Sequence, residues 1–312
     1  MIHNPRGPSR IISSKNHTKL SGNQTAPENS KQMKPIAVFY RPEQSVLNNE
    51  SYSPSAGKPR KVVERFLKHP QVEIQSAWAP LTRADLYTSH SCDYVNGVLD
   101  GVKPNGFGNL LKEVADSLPY TSGSLYRAAV HALKNEVAIS PTSGFHHAKY
   151  RSGGAFCTFN GLTVAAQLLR RLNKVNRVGI IDFDAHYGNG TADIIEDLKL
   201  EYIQHLTYGR HFILFPNAEA WLKNLSKDLE PFSDCDILLY QAGADPHEND
   251  PLGGDLTTEQ MRKRDHLVFQ FAKDRGIPIA WNLAGGYQQD FEKVLELHEN
   301  TLLACLDVFQ SA

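Results

Sequence analysis

Residues 177–191, Arg-Val-Gly-Ile-Ile-Asp-Phe-Asp-Ala-His-Tyr-Gly-Asn-Gly-Thr, constrain this chain more than any other stretch. Val178-Gly179-Ile180-Ile181 is a short apolar run rich in β-branched residues, the pattern of a strand buried on both faces. Polar residues then fall on alternate positions, Asp182, Asp184 and His186, and on extended backbone these project to one side. Gly188-Asn189-Gly190 ends the strand, and Thr191 is placed to cap a following helix. Two carboxylates and an imidazole at the C-terminal end of a buried parallel strand lie where open α/β sheets hold their ligands.

The flanking sequence supplies the rest of such a sheet. Strands are predicted at 36–40, 136–140, 178–181, 202–207, 235–241 and 277–283. Helices are predicted at 58–68, 84–87, 93–99, 107–117, 122–135, 158–172, 192–198, in the segment before Cys235, at 257–273 and at 289–309. Thr257 with Gln260 is a capping-box pair. Strands alternating with helices argue for one α/β domain over 36–312 in three layers, a mainly parallel β-sheet flanked by helices, with the active site at the C-terminal ends of the strands. Residues 1–35 differ: Arg6, Arg10, Lys15, Lys19, Lys31 and Lys34 face a single acid, Glu28, and large apolar side chains are few. That composition reads as a disordered or loosely packed basic tail.

The bulk numbers narrow the function classes. With 312 residues, 41% hydrophobic, and a net charge of −1, the chain can bury one large core but has no global charge to attract nucleic acid or an anionic membrane. No apolar run approaches the roughly 18 residues of a membrane span, and the first residues lack the apolar core of a secretory signal. Cys92, Cys157, Cys235 and Cys305 are widely spaced, which favours free thiols in a reducing compartment. A cytoplasmic protein is the expectation, and the sequence leaves oligomerisation open.

Four loops after predicted strands carry the unusual polar residues: His146-His147, Asp184 with His186, Asp245, and Tyr287 after Gly285-Gly286. Parallel strands bring these loops to one edge of the sheet. Two carboxylates and an imidazole form a three-ligand site with open positions, suited to a divalent metal that must also bind water and substrate. A histidine pair beside it can serve as general base and general acid. A tyrosine hydroxyl can stabilise an oxyanion.

At these residues the sequence resembles the histone deacetylase superfamily, which includes acetylpolyamine amidohydrolases and acetoin-utilisation-type proteins. The matching segments are Gly144-Phe145-His146-His147-Ala148, Gly154-Ala155-Phe156-Cys157-Thr158-Phe159-Asn160, Asp182 to Thr191, Gly243-Ala244-Asp245 with Asp250-Pro251-Leu252-Gly253, and Gly285-Gly286-Tyr287. They span most of the folded chain in the family's order. The resemblance implies an arginase-like α/β fold and a metal site of Asp184, His186 and Asp245, usually zinc. It implies water attack on an acetyl carbonyl, with His147 as base, His146 as electrostatic or proton-transfer partner, and Tyr287 on the oxyanion. Asp182 would orient His146 and Asn189 would meet His147; an amide raises imidazole basicity less than a carboxylate. Phe156, Ala155, Gly285, Phe212 and Phe215 would contact or wall the substrate.

Departures from the family pattern are also legible. The family's potassium site would use Asp182 and the main-chain carbonyls of Asp184 and His186, but His205 stands where a serine ligand is common. Tyr187 replaces a second histidine, Ala155 a glycine, and Ser143-Gly144-Phe145 the more familiar Pro-Gly. A two-manganese ureohydrolase needs more acids than Asp245-Pro246-His247 supplies. A non-catalytic acyl-lysine binding module predicts loss of a ligand, the base or Tyr287, and none is lost. The reading is therefore a metal-dependent amidohydrolase that releases acetate, or another short acyl group, and a free amine, from acyl-lysine; the alternative is an acetylated polyamine, for which Glu43 and Glu50 are candidate cation partners. Asp-His-Asp is harder than a thiolate site, so Fe(II) and Co(II) are alternatives to zinc. Cys157 reads as a small buried hydrophobe.

Overall fold

A computed structural model describes residues 34–211 and 217–310. The predicted tail, apart from Lys34 and Pro35, and the wall candidates Phe212 and Phe215 lie outside the described residues. In chain order the elements are β1 (Ile36–Phe39), α1 (Lys58–Phe66), β2 (Val72–Gln75), α2 (Arg83–Leu86), α3 (Cys92–Leu99), α4 (Lys112–Asn135), β3 (Val137–Ser140) and α5 (Gly161–Arg171). There follow β4 (Val178–Asp182), α6 (Asn189–Asp197), β5 (Ile203–Thr207), α7 (Ala218–Leu229), β6 (Ile237–Ala242), α8 (Thr258–Arg275), β7 (Ile279–Leu283) and α9 (Phe291–Phe309). The seven strands form one sheet in the order β2-β1-β3-β7-β6-β4-β5, and every pairing is parallel.

Period-two alternation splits each central strand between two cores. Ile181, Leu238, Tyr240, Ile279 and Trp281 face α1, α7, α8 and α9. Val178, Ile180, Ile237, Leu239 and Ala280 face the other layer, which includes α3, α4 and α5. A parallel sheet covered on both faces explains why these strands read as continuous apolar runs. Gly276, in the left-handed conformation at φ 63°, ends α8 and turns the chain into β7. Among the described residues no helix is long and apolar enough to cross a membrane.

Three expectations are corrected. β2 is a seventh strand that the sequence reading misses: Val72-Glu73-Ile74-Gln75 is a four-residue edge strand paired only with β1, and Glu and Gln are weak strand formers until docking decides. The helices expected at 107–117 and 122–135 are one helix that begins at Lys112 and passes through Pro119. Turns in which Asn105 Oδ1 accepts from Phe107 N (2.9 Å) and Asn109 Oδ1 from Leu111 N (3.2 Å) keep the start of the first segment out of the helix. Beyond it, the apolar face of Leu118, Leu125, Ala128, Ala129 and Ala132 packs on the sheet and outweighs the proline penalty. The carbonyl of Pro119 accepts from Leu81 N at 3.1 Å. Third, Thr191 is not a cap: α6 starts at Asn189, and Thr191 Oγ1 accepts from Asn160 Nδ2 at 3.0 Å.

Leu125 is fully buried between α4 and the sheet. Leu125→Ala is expected to lower the unfolding free energy by about 2–5 kcal/mol, read from the urea midpoint at constant slope.

Candidate metal centre and active site

The sheet delivers the site through the C-terminal ends of β3, β4, β6 and β7. Beyond β4, Asp184 and His186 meet Asp245 from the loop after β6, with one ligand atom of each lying within 4.8 Å of the others. His186 Nδ1 lies 3.0 Å from Asp184 Oδ1 and 2.9 Å from Asp245 Oδ2. Both carboxylates are buried, at 2% and 0% exposure, so their remaining lone pairs need donors. Gly285 N donates to Asp184 Oδ2 at 2.8 Å, and Ala185 N to Asp245 Oδ1 at 3.1 Å. A Cβ at Gly285 would lie 2.1 Å from Asp245 Oδ2, so this glycine is required by the carboxylate beside it.

The charges follow from this packing. Hydrogen bonds to the carboxylates of Asp184 and Asp245 raise His186 to about 11. Burial works against ionisation of Asp184, but His146 and His186 outweigh it and hold its carboxyl well below the usual range. Burial and the neighbouring Asp184 charge raise Asp245 to about 7. Two converging hard carboxylates and an imidazole nitrogen facing both fit a divalent cation, which would displace the imidazolium proton on binding.

The histidine pair stands against this cluster, with ring centroids 4.0 Å apart. His146 Nδ1 donates to Asp182 Oδ2 at 2.7 Å. The main-chain carbonyl of His146 accepts from the first turn of α6, Gly190 N at 2.8 Å and Thr191 N at 3.0 Å. His147 Nδ1 pairs instead with Asn189 Oδ1 at 2.8 Å. The two imidazoles are thereby set apart. Burial opposes charge on His146, yet Asp182 and Asp184 prevail and raise it to about 9. Burial and then the charge of His146 push His147 below the ordinary imidazole value.

Tyr287 follows Gly285-Gly286, and its amide donates to Asp250 Oδ2 at 2.7 Å. Burial, then Asp184 and Asp245, raise its phenol far above the usual value, so it is a neutral donor. Phe156 lies 5.8 Å, ring to ring, from Tyr287. It sits in a tight turn, Gly154 to Cys157, closed by two 2.9 Å backbone hydrogen bonds. Ala155 (φ 44°) and Phe156 (φ 68°) are both left-handed there, a conformation that costs an L-residue roughly 1–2 kcal/mol. Burial pushes the Cys157 thiol up to about 12, which keeps it protonated.

The structure clusters Asp182, Asp184, His186, Asn189, Asp245, His146, His147 and Gly285, with Phe156 against Tyr287, and adds others; Ala155 enters only as the residue before Phe156 in its turn. Lys58, fully buried, donates from Nζ to the carbonyl of Ala284 and, at 3.4 Å, to that of Gly285. Burial lowers it to about 8 against the pull of Asp245, Asp184 and Asp250. A lysine at the first position of a helix opposes the helix dipole, the one sequence signal that it serves another purpose. Gln241 links Asp182 Oδ1 (3.0 Å) to Phe145 N (3.1 Å). Phe107 and Tyr52 extend the aromatic edge, their rings 5.8 and 5.3 Å from Phe156. Glu43, offered as a polyamine partner, is paired with Arg41 at 2.5 Å.

The potassium site implied by the resemblance does not fit. Beside Asp182 stands the His205 ring, not an oxygen donor; both crowd Gly188, whose added Cβ would lie 2.6 Å from Asp182 Oδ2 and 3.2 Å from His205 Nε2. His205 Nε2 is buried without a hydrogen-bond partner, and burial lowers the ring to about 4, leaving it neutral. Alkali cations are hard and take oxygen ligands, which a neutral imidazole does not supply.

These residues form a candidate metal site at the C-terminal edge of a parallel α/β sheet. A model of the histone deacetylase domain matches residues 55–224 and 217–302, and the chain belongs to that family. "Histone deacetylase 2" of Arabidopsis thaliana is 28% identical over 245 residues, covering 69% of this chain and 63% of that protein. The crystal structure of the HDA15 HD domain superposes with a TM-score of 0.70 at 19% identity, over 89% of this chain and 90% of that one. An acetylpolyamine aminohydrolase from Burkholderia pseudomallei gives 0.69 at 16% identity, over 88% and 99%. These two likenesses show the arginase–deacetylase fold.

Ala155→Gly is expected to raise stability by about 0.5–1 kcal/mol, the relief of left-handed strain less the added chain entropy. Urea unfolding beside the unsubstituted chain measures it.

Proposed function

We propose that this chain is a zinc-dependent deacetylase that hydrolyses the terminal amide of an acyl-lysine side chain, releasing acetate or another short acid and the free amine. The observation that carries the reading is the convergence of Asp184, His186 and Asp245 beside a histidine pair whose two rings are held by different partners. Bound there, a divalent ion supplies Lewis acidity, polarising a carbonyl and making water acidic. The remaining work falls to the chain's own groups. His147 is the base: its Nδ1 is engaged by Asn189, which leaves Nε2 to take a proton from the attacking water. His146, charged and held by Asp182, favours the negative charge that develops nearby and is a proton source for the departing amine. Tyr287 donates its hydroxyl to the oxygen that gains charge. Phe156, with Phe107 and Tyr52, offers an apolar edge for an alkyl chain.

The pairing of Glu43 with Arg41, which removes one candidate partner for a polyamine cation, favours acyl-lysine over a polyamine. Acetate release from an acetyl-lysine peptide, acetylputrescine and acetylspermidine tests this. Turnover should stop on chelation, return with zinc, and fall about 10²–10³-fold in Tyr287→Phe. Faster turnover of the polyamines would replace the substrate reading. Stoichiometric zinc with no turnover of any substrate would leave a binding module.

The base must be neutral to act, so the rate is full above the His147 pKa and is lost as pH falls through it. Asn189→Asp places a carboxylate on Nδ1, which stabilises the imidazolium. The acidic limb of kcat/KM should then move up by about 1–3 pH units, and an unmoved limb would assign the base elsewhere.

A further inference from the structure

We propose that Arg264 is a positioning residue that sets the spacing of Asp184 and Asp245 from beneath the metal site, an inference that rests on the metal-site reading above. The β4–β6 ladder pairs Asp182 with Gln241 and ends with the hydrogen bond from Phe183 N to Gln241 O at 3.0 Å. Past that point the two chains must stay close, yet separate enough to present a carboxylate each. They do stay close: a Cβ on Gly243 would lie 2.6 Å from the Asp184 Cα. The next carbonyls, of Phe183 and Gly243, are buried and must find donors outside the ladder. One nitrogen serves both. Arg264 Nη1 lies 3.0 Å from Phe183 O and 3.0 Å from Gly243 O, and its two hydrogens supply one bond to each. Phe183 immediately precedes Asp184, and Gly243 stands two residues before Asp245.

The guanidinium is itself fixed. Arg264 reaches in from α8 and is 0% exposed. Asp265 Oδ1 accepts from its Nε at 2.8 Å and lies 2.8 Å from Nη2. Asp265 in turn accepts from Thr301 Oγ1 on α9 at 2.6 Å and from the Tyr240 hydroxyl on β6. The planar fork thus has its orientation dictated by an anion anchored to two other elements. A buried ion pair is a poor way to gain stability and can often be replaced by neutral groups. A staple between the backbones that carry the two ligand carboxylates is a reason to keep it.

The test uses the full chain, with Co²⁺ as the probe. Cobalt affinity and the visible absorption band are compared for the unsubstituted protein, Arg264→Lys and the double variant Arg264→Met with Asp265→Asn, whose amide still serves Tyr240 and Thr301. Melting in EDTA reports the fold of each metal-free form. Expected are a loss of cobalt affinity of about 10- to 100-fold and an altered band, in variants that retain native circular dichroism. Unchanged affinity and band in a folded variant overturn the proposal. Loss of the fold in both variants also overturns it, assigning Arg264 a structural role alone. Asp184→Asn separates the two readings: if it binds cobalt as the unsubstituted chain does, the metal site itself is wrong, whereas failure confined to the Arg264 variants rejects only the staple.

Discussion

Two carboxylates buried side by side are the constraint on which this structure depends. At 4 Å and an effective dielectric constant near 20, like unit charges repel by about 4 kcal/mol, and Asp184 and Asp245 have almost no exposure to relieve it. The surrounding parts answer that repulsion. The amides of Gly285 and Ala185 aim at the free oxygens, His186 stands between the acids, and Lys58 holds the carbonyls of the adjoining glycine loop. Such a constellation would suit a dication, whose charge would relieve the repulsion between the two acids.

The second feature is the division of labour between two adjacent histidines. Identical side chains at adjacent positions acquire opposite protonation tendencies because Asp182 and Asp184 favour charge on His146 against its burial, whereas burial and that neighbouring charge oppose it on His147. Their hydrogen-bond partners, Asp182 and Asn189, come from the same short stretch around β4, on either side of Asp184 and His186. The first turn of α6, by binding the His146 carbonyl, ties that stretch to the histidine loop.

That segment was legible in the sequence because its signal is local. The alternation of Asp182, Asp184 and His186 on a strand end, and the glycines after it, need no tertiary information. The groups that hold the ligands were not legible, for the opposite reason. Gln241 and Lys58 reach their partners only after strands distant in sequence have assembled, and each alone resembles an ordinary polar residue. Pro119 misled because a local helix breaker was overridden by packing of the α4 face. β2 was missed because four residues at a sheet edge owe their conformation to the neighbour they dock on.

The strand order carries a consequence for how the chain reaches this state. β7, the last strand in sequence, is inserted at the middle of the sheet between β3 and β6. Until some 280 residues have been synthesised, the two halves of the sheet have no common strand to join them. A nascent chain therefore exposes the inner edges of β3 and β6, and only late, non-local closure removes them. Such topologies fold slowly and offer unpaired edges to other chains meanwhile. The centre of the sheet also carries the Gly285-Gly286-Tyr287 loop at the end of β7, so the candidate site is incomplete until that last strand is in place.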